Sequence, residues 1–202
     1  MTGRISFLVS GNGGTLKFLY YAIKKYDLPF EIVSVISDRD CGAYRFAKSM
    51  NIPSENISYN KNNDSDLCIL LKKYNPDIVI TNIHKILSDN VLKCIDCDFI
   101  NLHYSLLPAF GGFIGATCHE VNEILDGGKI SAQGLFPVNW NDDKNEIYDR
   151  VFKIGCITLL NGLADKYKIS NGLFESKFGI FNPQPVFDTS VLNDDFWESV
   201  RK

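Results

Sequence analysis

Residues 101 to 128 read NLHYSLLPAFGGFIGATCHEVNEILDGG. Asn101, His103 and Asp126 in this stretch carry the groups that an acyl transfer from a carbonyl to an amine requires. Asn101 and His103 are two apart in FINLH, a run that reads as a strand, so their side chains leave it on the same side. Pro108 turns the chain after that strand, and Asp126 follows a separate strand-like run from which it can return to the same edge. An amide N–H can donate to a developing oxyanion. An imidazolium can do the same and pass on a proton. A carboxylate can take the proton that an attacking amine must lose. No Ser or Cys stands in the set as an evident nucleophile, which favours direct attack by the substrate. The same residues also suit ordinary roles: Asp126-Gly127-Gly128 is a turn sequence in its own right, and a lone His is more often structural. Spacing without geometry leaves both readings open.

A second candidate is the loop Ser10-Gly11-Asn12-Gly13-Gly14-Thr15. Its glycines let a ligand approach the backbone, and the helix that follows offers unpaired N–H groups to an anion. Gly11, Asn12, Gly13, Gly14 and Thr15 are the candidate phosphate-binding residues. The loop lacks the third glycine of the dinucleotide fingerprint and the Lys of a Walker loop. A tight strand-to-helix turn is the other reading.

The elements that must position these groups follow from apolar periodicity. RISFLVS (4–10), EIVSVISD (31–38), DIVITN (77–82) and FINLH (99–103) read as strands. Between them lie a helix with Leu16, Leu19, Tyr20 and Ile23 on one face, a helix over AYRFAKSM (43–50), a helix over DLCILLKKY and a short one near 86–93. Strand and helix alternate with short connections, which predicts an α/β fold with a mainly parallel sheet and helices on both faces. After Gly115 the order changes: ATCHEV and KISAQGLFPV read as successive strands, an antiparallel addition. DDKNEIYDRVFKIGCITLLNGLADKY then reads as one long helix with Ile147, Val151, Ile154 and Thr158 on one face. ISNGLFESKFGIFNPQPVFD is expected to form a small hairpin and tail, ending in a short helix or turn around DDFWESVRK. The expected division is a main domain over 1–167 and a C-terminal hairpin and tail over 168–202, packed on it.

The chain has 202 residues, 45% apolar and 22% charged, which bounds it to an ordinary globular protein. A net charge of −3 and a pI near 5.6 exclude binding of nucleic acid through a broad basic surface. No apolar run reaches the length of a membrane span, and the N-terminus reads as neither signal peptide nor anchor. Cys41, Cys68, Cys118 and Cys156 read as buried thiols of a cytoplasmic protein. Cys94-x-x-Cys97 has no second CxxC and no His at a ligand spacing, so no metal site is expected.

NLHYSLLPAFGG, GATCH and ILDGG together resemble the folate-dependent formyltransferases, nearest to the glycinamide ribonucleotide transformylase type. The similarity runs from SFLVSGNGGTLKFL through ISDRDCGAYRFAKSMNIP and DIVITNIHKILS to the end of the long helix. The resemblance implies a Rossmann-like formyltransferase fold, with residues 1–167 as its domain. It implies transfer of a formyl group from 10-formyltetrahydrofolate, a co-substrate, to an amine in purine biosynthesis. It makes Asn101 and His103 the oxyanion-stabilising pair, Asp126 the proton relay and His119 a supporting histidine. It gives the Gly11–Thr15 loop the acceptor's phosphate, and His84-Lys85-Ile86-Leu87 and Glu120-Val121-Asn122-Glu123 the folate. The implied partners are small molecules, with neither nucleic acid nor membrane, in a monomer or homodimer.

Three departures accompany the resemblance. The family carries roughly a dozen more residues, about three helical turns, between Ala109-Phe110-Gly111-Gly112 and Ile114-Gly115-Ala116-Thr117, as a loop over the active site. The direct Gly112–Phe113 link is expected to reflect an unresolved segment rather than a deletion. Gly155 stands where the family has a glutamate that contacts the substrate ribose. GIFNPQPVFD does not match the usual ending. Glycinamide ribonucleotide is the leading acceptor and an amino-sugar nucleotide the second. A 10-formyltetrahydrofolate deformylase is the alternative reaction, although deformylases usually carry an N-terminal regulatory domain and this chain starts at the first strand. A non-catalytic folate-binding module is the remaining reading.

Overall fold

The computed structural model describes residues 2–61, 63–104, 114–138 and 141–202. The chain divides into two compact units, Met1–Ile100 with Val121–Glu123 and Glu198–Lys202, and Asn101–Glu120 with Ile124–Trp197.

In the first unit the strands run in the order β3-β2-β1-β4-β5. β1 (Gly3–Val9) lies between β2 (Phe30–Ser37) and β4 (Ile78–Asn82), parallel to both. Its side chains are buried on both faces, which is why GRISFLV is a nearly continuous apolar run and does not alternate. β3 (Ser54–Asn56) adds to β2 in parallel. The sequence pattern missed it because three polar residues carry no periodicity. α1 (Gly14–Tyr26) buries Thr15, Leu16, Phe18, Leu19 and Ala22. The inward stripe is therefore centred beside the expected one, and Tyr20 and Ile23 are only half-buried at its flank. α2 (Gly42–Ser49), α3 (Ser65–Tyr74) and α4 (Asp89–Lys93) follow where expected. α1 and α3 end on left-handed residues, Asp27 and Asn75, whose N–H groups bond back to Ile23 and Leu71.

β5 (Asp98–His103) contributes residues to both units. The second unit continues from its end through β6 (Ile114–Glu120), β7 (Ile130–Phe136) and β8 (Ile180–Asn182). β6–β7 and β7–β8 are antiparallel, so the order changes after Gly115 as expected. β8 pairs with β7 rather than with its own tail, so the expected C-terminal hairpin is an edge strand. α5 (Lys144–Lys166) begins at Asp143, whose Oδ1 accepts from the N–H groups of Asn145 and Glu146 at 2.8 and 3.3 Å. It is buried on every side from Ile154 to Ala164, so a single apolar stripe describes only its first half. Trp197, in α6 (Asp194–Arg201), is buried against Phe152, Phe178 and Phe196.

The chain is continuous from Gly112 to Phe113. The short β5–β6 connection therefore belongs to the sequence, against the expectation of an unresolved segment, and residues 105–113 lie outside the described residues. Among the described residues no helix is long and apolar enough to cross a membrane.

At the carboxyl ends of β1, β2 and β4 a single carboxylate ties the strands together. The Asp38 side chain is wholly buried and receives Nε and Nη2 of Arg39, each at 2.9 Å. Lys85 Nζ stands 3.6 Å away. The Ser10 hydroxyl donates to Asp38 and accepts the His84 N–H at 2.9 Å. The Arg39 hydrogen bonds hold the Asp38 carboxyl well below its ordinary value, at about 2, against the opposing effect of burial. A depressed carboxyl pKa contributes stability above the unfolded value, and that contribution is lost as pH falls toward the folded one. Asp38→Asn should thus lower the unfolding free energy near neutral pH by about 2 kcal/mol. In urea titrations the gap to wild type should close as pH drops from about 4 toward 2. A gap that stays constant over that range would remove Asp38 from this role.

Candidate active site

Asn101, His103, His119 and Asp126 all belong to the second unit. β5 points Asn101 and His103 to one side and buries Leu102, 6% exposed, on the other. β6 carries His119 behind a register irregularity at Cys118/His119, where His119 pairs with Ile130 and Cys118 with Ala132. Ser131 is the extra residue. Asp126 sits in a turn closed by the Gly127 N–H on the Ile124 carbonyl at 3.0 Å, with a left-handed φ of 53°. Asp tolerates that conformation better than most residues. The turn is pressed onto β6: a Cβ on Gly128 would lie 1.7 Å from the Glu120 carbonyl oxygen, so only glycine fits there.

The Glu120 carbonyl accepts from His119 Nδ1 at 2.7 Å. A carbonyl can only accept, so Nδ1 carries the hydrogen, and in the neutral ring Nε2 is the acceptor. Asn101 Nδ2 lies 3.3 Å from that Nε2. Asp126 Oδ1 lies 3.7 Å from it and 3.6 Å from His103 Nδ1. One carboxylate oxygen thus faces two imidazoles at ion-pair distance, each slightly beyond a direct hydrogen bond. Exposure separates their roles. His119 is 2% exposed, whereas the side chains of His103 and Asp126 are each 30% exposed. His103 and Asp126 are open to a ligand, while His119 stands buried behind them. Lys166 Nζ bonds Glu120 Oε1 at 3.3 Å and holds the residue whose carbonyl orients His119.

No thiol competes as a nucleophile in this cluster. Cys118 precedes His119 but is buried, and burial pushes it up to about 12. Burial likewise raises Cys97 to about 12. Among the described residues no group of His, Cys, Asp or Glu could hold a metal ion.

The remaining sequence candidates lie mostly in the first unit. Gly13 precedes α1 with φ 77°, and a Cβ there would meet Ala43 Cβ at 2.7 Å. A Cβ on Gly11 would meet nothing within 4 Å. No side chain caps α1 and no acidic residue stands in its first turn, which leaves its N-terminus suited to an anion. Of His84-Lys85-Ile86-Leu87, His84 and Ile86 are exposed, Leu87 belongs to the core, and Lys85 is held by Asp38 and the Tyr59 carbonyl. Val121 packs against the same core as Leu87, Asn122 is exposed and Glu123 pairs with Lys93. The sequence reading did not single out Asp38 or Arg39. The available signal was a charged triplet, Asp38-Arg39-Asp40, directly after an apolar strand.

The Formyl transferase family matches residues 3–162. A chloroplastic phosphoribosylglycinamide formyltransferase of Vigna unguiculata is 29% identical over 175 residues, covering 73% of this chain and 55% of that one. The mitochondrial formyltetrahydrofolate deformylase 1 of Arabidopsis thaliana is 33% identical over 158 residues, covering 69% and 49%. The chain thus spans about half the length of these two curated relatives. The crystal structure of phosphoribosylglycinamide formyltransferase from Brucella melitensis superposes with a TM-score of 0.73 at 26% identity, covering 87% of this chain and 100% of that one. A match that runs from the first strand, past the turn bearing Asp126 and into the long helix, joined to the fold shared with a solved relative, makes this chain a member of the formyl transferase family.

Proposed function

We propose that this protein transfers a formyl group from 10-formyltetrahydrofolate to the amine of a phosphorylated acceptor, with glycinamide ribonucleotide the first acceptor to test. The observation that carries the reading is the single Asp126 oxygen held 3.6 Å from His103 and 3.7 Å from His119, beside the Asn101 amide. The amine lone pair attacks the formyl carbon and a C–N bond forms. The carbonyl oxygen becomes an oxyanion, stabilised by N–H groups of Asn101 and of protonated His103. Asp126 accepts the amine proton. When the intermediate collapses, the bond to N10 of the folate breaks and N10 takes a proton from His103. Asp126 can then return its proton to His103. His119 holds Asn101 and faces Asp126 from the buried side, as a positioning residue. The uncapped N-terminus of α1 supports a phosphorylated acceptor. A second reading, hydrolysis of the donor with water in place of the amine, is favoured by the relative named a deformylase.

Tetrahydrofolate formation with and without glycinamide ribonucleotide separates the two readings. Turnover only with the acceptor is expected, turnover without it identifies the hydrolase, and none in either case rejects both. His103→Ala should slow formyl transfer by about 10²–10⁴-fold while calorimetric binding of the donor changes little. Near-normal turnover would remove His103 from the mechanism. Asp126→Asn should slow it by a similar factor of about 10²–10⁴ and change the pH–rate profile; an unchanged profile counts against the proton relay. Crystals grown in inorganic phosphate should hold it at Gly11–Gly14, and phosphate elsewhere with that loop empty would undo the loop's role.

A further inference from the structure

Cys94-x-x-Cys97 takes no part in the cluster around Asp126, and its two thiols have different surroundings. Cys97 stands just ahead of β5, where burial and the charges of Asp98, Asp96 and Asp77 keep its proton on. Cys94 instead caps the C-terminal end of α4, with its N–H on the Val91 carbonyl at 3.3 Å. Its thiol meets Cys68 of α3 rather than its neighbour in the motif.

α3 and α4 meet along a short polar seam. Asp64, the N-cap of α3, accepts from the Ser88 hydroxyl and from Asn90 Nδ2, the latter at 3.0 Å. Cys68 lies one turn further along the same face, its N–H on the Asp64 carbonyl at 3.1 Å. Asn90 Nδ2 also reaches Cys68 Sγ, at 3.7 Å. Cys94 comes one turn after Asn90, on the face of α4 that is turned to Cys68. The two thiols stand within hydrogen-bonding reach, and both pack on the core that holds Leu67, Leu71, Val91 and Phe99. Burial and the adjacent Cys94 push the Cys68 thiol up, so it stays protonated. Cys68 is buried and Cys94 half-buried, so a small solute meets Cys94 first.

We propose that Cys94 and Cys68 form a redox site, at which a hydroperoxide oxidises the pair to a disulfide that staples α3 to α4. The Cys94 sulfur attacks the terminal peroxide oxygen. An S–O bond forms, the O–O bond breaks, and the leaving oxygen departs with the Cys94 proton as an alcohol, or as water from hydrogen peroxide. Cys94 is then a sulfenic acid. The Cys68 sulfur attacks the Cys94 sulfur. The S–S bond forms, the S–O bond breaks, and hydroxide leaves as water with the Cys68 proton. The thiols lose two electrons and the peroxide gains them. An S–S bond is about 2.05 Å long, so the sulfurs must close up, and the adjustment falls on the end of a five-residue helix. The loop so closed contains β4 and the segment from Lys85 to Ser88.

The test uses the whole chain and no substrate, so its result does not depend on the transferase reading. The reduced protein is treated with hydrogen peroxide, alkylated, and cleaved before aspartates without reduction. That cleavage separates Cys94, in residues 89–95, from Cys97, which follows Asp96. The expected product is residues 66–76 joined to residues 89–95, with two of the six thiols protected from alkylation. The oxidised protein should melt about 5 °C higher, and dithiothreitol should reverse both changes. Cys68→Ser should leave a sulfenic acid on Cys94 that dimedone captures, while Cys97→Ser should still form the cross-link. The wild-type peptide map decides the matter if Cys68→Ser does not fold. A Cys94–Cys97 bridge, oxidation of Cys94 without the cross-link, or recovery of all six alkylated thiols overturns the proposal. A cross-linked protein that melts no higher overturns the staple.

Discussion

The second unit is organised around the hydrogen bond from His119 Nδ1 to the Glu120 carbonyl. It joins adjacent residues at the end of β6 and decides which ring nitrogen faces the cluster. With Nδ1 committed to a carbonyl, Nε2 of the neutral ring is left to accept from the Asn101 amide, and only a protonated ring could donate to Asp126 Oδ1, 3.7 Å away. Were the tautomer reversed, Nδ1 would turn a lone pair toward the carbonyl oxygen, and two acceptors would repel at 2.7 Å. The burial of His119 raises the stakes, because an unpaired ring nitrogen in that setting would cost roughly 1–3 kcal/mol. The Lys166–Glu120 pair, the glycine at 128 and the turn around Asp126 all brace the residue that offers this carbonyl.

The first unit reaches order by a different route. Parallel strands buried on both faces have no polar side to anchor their carboxyl ends, and the loops leaving them diverge. Asp38 supplies one charge on which Arg39, Lys85 and Ser10 converge, and Ser10 passes the connection to the His84 backbone. Exposed ion pairs contribute little on their own. Here the carboxylate is buried and its two cations lie at the surface, so hydration of the cations is largely retained while the strand ends are held.

Much of this was legible in the residues. Continuous apolar runs marked β1, β2 and β4, and the periodicity of α1 differed from the structure only by a small rotation of its face. Asn101 and His103 could be paired from an i, i+2 spacing, since a strand fixes direction without further information. Elements defined by partners rather than by their own pattern were not legible. β3 exists because β2 has a free edge, and β8 because β7 has one. The role of Asp38 depends on Lys85 and His84, far along the chain. The tautomer of His119 follows from a main-chain atom and has no side-chain signature.

The irregularity at Ser131 has a bearing on how this chain can change. It sets where β7 starts opposite β6, and so how many residues span the turn that carries Asp126. Removing one residue there would draw the backbone along by about 3.3 Å, a distance comparable to the 3.6 Å and 3.7 Å that separate Asp126 from its two histidines. Side chains around the cluster can be exchanged one at a time with graded effect. Chain length between β6 and β7 cannot, because the smallest available step is nearly as large as the separations within the cluster. Inherited variation between β6 and β7 should therefore be found as substitution, with insertions and deletions confined to other segments.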